Sequence, residues 1–94
     1  MAEDGNRINI QILFFASARE AAGNISSVEF ELDVGANTSS LRKLLAERYP
    51  KLADMVLDED TLTLALNEEY VPSGHVLPLK SGDTVALIPP ISGG

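Results

Sequence analysis

Residues 85–94, VALIPPISGG, lead from a hydrophobic strand through two prolines to a pair of glycines, with no charged residue on the way. Proline fixes φ and cannot donate a hydrogen bond to a sheet, so Pro89 and Pro90 are predicted to end the strand and to carry the following residues away from the domain. Such a tail can reach roughly 20 Å at about 3.3 Å per residue. That length is enough to enter the active site of another protein.

The group that this tail would deliver is the α-carboxyl group of Gly94. Glycine has no Cβ, so Gly93 and Gly94 can pass through a slot too narrow for any other residue. A C-terminal carboxyl has a pKa of about 3.5 and is ionised at neutral pH, which makes it a poor electrophile. Adenylation by ATP would activate it, and a sulfur or amine nucleophile could then displace AMP. The tail therefore predicts a carrier that one protein loads and another unloads.

Composition limits the remaining possibilities. Ninety-four residues, 45% of them hydrophobic and 22% charged, are typical of one globular domain. The net charge of −7 argues against nucleic acid and membranes as partners and favours a basic surface on another protein. The chain has no cysteine, which excludes disulfides, thiolate metal sites and a cysteine nucleophile. The acidic, polar residues 1–6 are unlike a signal peptide, and we expect a cytosolic protein.

Alternating apolar residues predict the strands. A first strand from Ile8 to Phe15 is followed by one or two helical turns over residues 16–22, which Gly23 and Asn24 end. Further strands are predicted at residues 25–32, 61–67, 70–71 and 84–88, with tight turns at 72–74 and 80–83. The predicted inward side chains are Ile8, Ile10, Ile12, Phe14, Val28, Phe30, Leu32, Leu62, Leu64 and Leu66.

One amphipathic helix is predicted between these strands. Asn37 or Thr38 can cap its start, and Pro50 ends it. Leu41, Leu44, Leu45 and Tyr49 form its apolar side, and Arg42, Lys43, Glu47 and Arg48 the opposite side. Residues 51–57 are predicted to hold no more than a further turn of helix. The order predicts a single α+β domain over residues 1–94, in which a mixed sheet grasps one main helix, with a flexible stretch at 1–6 and a projecting tail at 89–94.

Other residues that could carry chemistry have simpler interpretations. His75, the one histidine, follows Gly74 in a predicted turn and is expected to be a surface residue, since one histidine cannot build a metal site. The acidic runs 58–60 and 68–69 match no calcium-loop spacing and are expected to be solvated. The terminal glycines could also be a cloning remnant or a frayed end. Phe14 and Phe15 point to opposite faces of one strand, so one should lie in the core and the other could belong to an exposed docking patch.

Several motifs together carry a family resemblance. Residues 14–16, FFA, and Arg19-Glu20 follow the first strand, Leu41 and Leu45 lie in the helix, and residues 65–67, ALN, precede Val71. The most specific motif is residues 82–94, GDTVALIPPISGG. With them, nearly the whole chain resembles the family of molybdopterin synthase small subunits, which are ubiquitin-like sulfur carriers with the β-grasp fold.

The resemblance implies a function and its partners. An adenylyltransferase and sulfurtransferase of the ubiquitin-activating type would use ATP to form a glycyl adenylate at Gly94 and then a thiocarboxylate, a 1-thioglycine. The loaded tail would enter the large catalytic subunit and give its sulfur to cyclic pyranopterin monophosphate, building the dithiolene of the molybdenum cofactor. The resemblance implies a heterotetramer of two small and two large subunits, in which this chain binds no cofactor and does not turn over alone.

Residue roles follow from the same resemblance. Gly94 would be the reacting residue and Gly93 would allow passage, with Ser92 beside them in the threaded tail. Pro89, Pro90 and Ile91 would pack along the channel that receives the tail, and Phe14 and Phe15 would serve the sheet core or its binding face.

Three alternatives stay open at this point. The chain could be a ubiquitin-like modifier that forms isopeptide bonds through Gly94, although it lacks the basic residue that such modifiers often carry near the end. It could be a sulfur carrier for thiamin or another pathway. It could also be a β-grasp binding module whose terminus is inert.

Overall fold

The computed structural model describes residues 7–90, and within them the chain forms five strands and three α-helices. In chain order these are β1 Arg7–Phe14, α1 Ala16–Ala21, β2 Ser27–Asp33, α2 Thr38–Arg48, α3 Ala53–Val56, β3 Thr63–Leu66, β4 Glu69–Val71 and β5 Thr84–Ile88. A 3-10 turn, Pro50–Leu52, joins α2 to α3. The predicted order of elements is confirmed. The predicted flexible stretch at 1–6 and the tail beyond Pro90 lie outside the described residues.

The strands form one mixed sheet in the order β2-β1-β5-β3-β4. The central pair, β1 and β5, is parallel, while the pairs β1–β2, β5–β3 and β3–β4 are antiparallel. Parallel neighbours need a long crossover between them, and here nearly the whole chain lies between β1 and β5. The last strand therefore sits in the middle of the sheet, and the tail leaves from a well-paired position.

The core lies between the sheet and α2. The alternation of β1 places Ile8, Ile10, Ile12 and Phe14 in the core, as predicted. Leu41 and Leu45 of α2 join the same cluster. Leu66 also packs against this cluster, as predicted, although it is only half-buried because β3 ends there.

Of the two residues predicted to cap the start of α2, one does so and the other binds elsewhere. Asn37 is the N-cap: its Oδ1 accepts from the backbone N–H of Ser40 at 2.9 Å, and Ser40 Oγ accepts from Asn37 N at 2.9 Å. Thr38 instead bonds to the segment before β5, donating its N–H to Leu77 O at 2.9 Å and accepting from Leu77 N at 3.0 Å. The start of α2 is thereby fixed to the distant part of the chain that leads to β5.

Arg42 corrects the prediction for the outer side of α2. It was expected to face solvent with Lys43, but its residue is only 8% exposed. Its guanidinium donates to Val56 O at 2.7 Å and to Leu62 O at 2.9 Å. Burial lowers the pKa of Arg42, and the neighbouring carboxylates of Glu59 and Asp58 oppose that shift. The helix therefore has a second buried side, which α3 and the segment before β3 cover.

Residues 50–57 are more regular than predicted. The 3-10 turn buries Leu52, and α3 buries Val56, so this segment closes one end of the core. Its mixed sequence hid this role because each short element fully buries a single side chain, with Met55 only partly buried against the core. Within residues 7–90, the helices are all too short or too polar to span a lipid bilayer.

Candidate functional site

The sheet face opposite α2 carries an apolar row across four strands. Leu13 of β1 pairs with Ala86 of β5, Ala86 with Ala65 of β3, and Ala65 with Tyr70 of β4. Side chains alternate along a strand, so these residues lie on the face that the core residues do not use. No helix of the described residues covers this face: Tyr70 is 71% exposed and Leu13 and Ala86 are half-buried, whereas Ala65 is shielded by its neighbours. We call this surface the docking face.

A shallow hollow of about 590 Å³ marks the docking face. It is lined by Leu13, Phe15, Ala65, Asn67, Glu68, Tyr70, Thr84, Ala86 and Ile88. The residues that line the hollow are largely apolar near Ile88, where β5 leads to the tail, and polar near Thr84, where β5 begins. A protein that receives the tail can therefore bury an apolar surface beside the tail's point of departure.

The two phenylalanines divide between core and docking face, as their alternation predicted. Phe14 is 2% exposed and packs edge-on against Tyr49, with ring centroids 5.5 Å apart. Phe15 is 49% exposed and lies in the wall of the hollow. Phe14 is therefore a core residue, and Phe15 is the candidate for partner contact.

The root of the tail is fixed to the domain. Pro89 is buried and Pro90 is exposed, so the chain leaves the domain between the two prolines. Pro89 lines a second, smaller hollow together with Tyr70 and Pro72. The predicted site residues Ile91, Ser92, Gly93 and Gly94 lie outside the described residues.

A network of hydrogen bonds among Asn67, Lys80, Asp83 and Thr84, which we call the polar lock, holds the start of β5. Asn67 donates its backbone N–H to Thr84 O at 2.8 Å, and its side-chain oxygen accepts from Thr84 N at 2.9 Å. The Asn67 amide nitrogen also donates to Asp83 Oδ1 at 2.9 Å, and Asp83 Oδ2 accepts from Lys80 N at 2.9 Å. These bonds join the β3–β4 turn to the turn before β5 and fix the register of the strand that carries the tail.

Several other polar groups stabilise turns. Within residues 7–90, no group of three or more histidine, cysteine, aspartate or glutamate residues is placed to hold a metal ion. Asp58 accepts from Thr61 Oγ1 at 2.8 Å and from Asp60 N at 3.0 Å, and these bonds lower the pKa of the Asp58 carboxyl. His75 is exposed in its turn, as predicted.

Sequence reasoning missed part of the docking face. It identified Phe15 but not Leu13, Tyr70 or Ala86, although each occupies an outward position of a strand. An apolar residue at an outward position is the signal that could have found them, because solvated sheet faces are usually polar. The pairing that brings three different strands together could not be read from local alternation.

Comparison with known proteins identifies relatives along the whole domain. Residues 12–94 match the ThiS family. The molybdopterin synthase sulfur carrier subunit of Chlamydomonas reinhardtii is 44% identical over 87 residues, which cover 93% of this chain and 100% of that protein.

Solved structures agree with the fold. The crystal structure of SAMP1, small archaeal modifier protein 1, from Haloferax volcanii matches with a TM-score of 0.77 and 27% identity, covering 92% of this chain and 99% of that one. A chain in the complex of subunits 1 and 2 of molybdopterin-converting factor from Helicobacter pylori matches with a TM-score of 0.61 and 25% identity, covering 93% of this chain and all of that one. The ubiquitin-like β-grasp fold expected from the sequence is thereby confirmed.

Proposed function

The chain belongs to the ThiS family, and on this premise we propose that it is the sulfur carrier subunit of a molybdopterin synthase. The observation that carries the proposal is the 44% identity to a molybdopterin synthase sulfur carrier subunit whose full length it covers. The docking face and the anchored root of the tail are the structural features that such a carrier requires.

The proposed chemistry takes place at Gly94. Its carboxylate attacks the α-phosphorus of ATP, which releases pyrophosphate and leaves a glycyl adenylate. A sulfur nucleophile supplied by the activating enzyme then adds to the acyl carbon, and the bond to AMP breaks. The thiocarboxylate that results is a better nucleophile than the carboxylate and carries sulfur without releasing sulfide to solvent. Two loaded carriers then supply the two sulfur atoms of the dithiolene on cyclic pyranopterin monophosphate.

The described residues position this tail. Paired between β1 and β3, β5 holds Pro89 in the domain, and the lock at Asn67 and Asp83 fixes its other end. Phe15 and the apolar row bind the partner, while Pro90 and Ile91 pack along the partner's channel ahead of Ser92 and Gly93. The chain's small number of cations is a poor match for a phosphorylated pterin, so the large subunit supplies the substrate-binding and acid–base groups.

The proposed partners are a large catalytic subunit and an adenylyltransferase of the ubiquitin-activating type. The matching chain in the complex of subunits 1 and 2 of molybdopterin-converting factor supports the first of these. We propose two copies of each subunit in the synthase, in the cytosol, with ATP used by the activating enzyme and no cofactor resident in this chain.

Intact-mass spectrometry tests the proposed chemistry. After incubation with its activating enzyme, ATP and a sulfur donor, the chain should gain the mass difference between one sulfur and one oxygen atom. A variant lacking Gly94 is the control and should stay unchanged. If the wild-type chain formed the adenylate but gained no sulfur, the sulfur carrier proposal would fail.

Similarity to an archaeal modifier protein favours protein modification as a second candidate. The same adenylate could be attacked by a lysine amine, which would join Gly94 to another protein through an isopeptide bond. Conjugates of higher mass that disappear on deletion of Gly94 would support this function, and a chain found only as free and thiocarboxylated species would exclude it.

A further inference from the structure

Two residues beside the hollow have a backbone conformation that their side chains disfavour. Within residues 7–90, four residues other than glycine have positive φ: Ala16 at 50°, Asn24 at 66°, Asn67 at 52° and Glu68 at 74°. Asparagine tolerates this left-handed region, whereas alanine and glutamate adopt it only at a steric cost. Ala16 directly follows Phe15, and Glu68 lines the hollow itself. Strained residues of this kind concentrate at functional sites.

Glu68 occupies a position that normally holds glycine. Leu66 and Glu69 pair across the β3–β4 hairpin, leaving Asn67 and Glu68 as a two-residue turn with positive φ at both positions. This turn prefers asparagine followed by glycine, because glycine adopts the second conformation without steric cost. The asparagine is present, but a charged residue replaces the glycine. Glu68 thus places a charged side chain in this turn at a steric cost that glycine would avoid.

Glu68 lies at the polar end of the docking face. The side chain is exposed beside Asn67 and Thr84, at the start of β5, whereas Phe15 and Ile88 lie toward the tail. From Thr84 to Ile88 is about 14 Å at about 3.4 Å per residue. Within residues 7–90 the ion pairs join Arg7 to Glu31 and Asp33, and Glu68 takes part in none of them. Among the residues that the structure describes, the docking face thus has a negative end outside these ion pairs and an apolar end at the root of the tail.

We propose that Glu68 is a specificity-determining contact, which pairs with a lysine or arginine of the protein that receives the tail. A partner that presents an apolar surface with a cation at one edge fits the docking face in one orientation, since its cation must lie at the end remote from the tail. That orientation places the partner's apolar surface and its channel at the tail. The inference rests on the proposed function, because it takes the large subunit of molybdopterin synthase as this partner.

Binding and stability measured on the same variants test the inference. The large subunit from the same organism is titrated with the wild-type chain, Glu68→Gln, Glu68→Gly and the control Glu69→Gln. Glu69 is adjacent and carries the same charge, but Tyr70 lies on the docking face, so the Glu69 side chain points to the other side of β4. We expect both Glu68 variants to weaken binding about three- to fivefold at low salt, with the loss shrinking at high salt, and Glu69→Gln to bind as the wild type.

Glu68→Gly separates recognition from folding. It should raise the melting temperature, because glycine relieves the left-handed strain, while it weakens binding. If Glu68→Gly bound as tightly as the wild type, or if Glu68→Gln and Glu69→Gln weakened binding equally, the inference would be overturned. Failure of the wild-type chain to bind the large subunit would overturn the proposed function as well, whereas normal wild-type binding with unaffected Glu68 variants would overturn this inference alone.

Discussion

Phe14 and Phe15 are adjacent residues whose substitution should have opposite consequences. Phe14→Ala removes a buried ring that contacts Tyr49, so it should lower the free energy of unfolding by about 3–5 kcal/mol. Phe15→Ala removes a half-exposed ring, so stability should change by less than about 1 kcal/mol. Binding to the large subunit should nevertheless weaken at least about tenfold. Urea unfolding and calorimetric titration measure the two effects, and a large loss of stability in Phe15→Ala would contradict the assignment.

Arg42 should be a stability residue in spite of its charge. Arg42→Met withdraws the donors from the backbone carbonyls of Val56 and Leu62, which should cost about 1–3 kcal/mol in urea unfolding. Lys43→Met is the matched control on the same helix and should change stability by less than about 0.5 kcal/mol, because Lys43 is exposed. Equal effects of the two substitutions would show that Arg42 has no special role.

Asp58 should give a measurable pH effect. The hydrogen bond from Thr61 lowers the pKa of its carboxyl, so this group contributes stability that is present above the unfolded-state pKa of about 4 and is lost as pH falls through the lower folded-state value. Thr61→Val should move the Asp58 pKa upward toward its ordinary value. An NMR titration of the side-chain carboxyl carbon measures this, with Thr63→Val as the control. If Thr61→Val left the pKa of Asp58 unchanged, the hydrogen bond from Thr61 would not be what lowers it.

At the scale of elements, Asp83 should decide how firmly β5 is held. Asp83 is 6% exposed and accepts hydrogen bonds from Asn67 and Lys80, so Asp83→Ala leaves two donors unpaired. We expect a loss of about 1–3 kcal/mol and faster hydrogen exchange at the amides of Lys80 and Thr84. Asp54→Ala, at an exposed aspartate of α3, should cost less than about 1 kcal/mol. Unchanged exchange at Thr84 in Asp83→Ala would contradict the lock.

Local pattern predicted most of these elements because it records which side of each element is buried. The alternating apolar residues of β1 and the regularly spaced Leu41 and Leu45 of α2 all pack into the same core. Local alternation and spacing therefore predicted their positions correctly. Arg42 was predicted wrongly because its partners are backbone carbonyls 14 and 20 residues away, which no local pattern records. The docking face was only partly predicted for a related reason: Leu13, Ala65 and Tyr70 become neighbours through pairing between strands that are distant in sequence.

At the scale of the whole molecule, the sheet order explains the arrangement of the site. The last strand lies between β1 and β3, so the tail leaves from the centre of a sheet whose open face carries the apolar row. Under the proposed function, docking on that face and insertion of the tail are therefore parts of one binding event. A carrier needs this coupling, since its partner must hold it while its terminal carboxyl group reacts.

Synthesis of the dithiolene in a reconstituted system tests the central claim most directly. The large subunit, the activating enzyme, ATP, a sulfur donor and cyclic pyranopterin monophosphate are combined either with the wild-type chain or with a chain that has one alanine appended after Gly94. We predict product with the wild-type chain and none with the extended chain, although both should unfold at the same temperature and bind the large subunit through the docking face. Product formation by the extended chain at the wild-type rate would contradict the claim that Gly94 carries the sulfur.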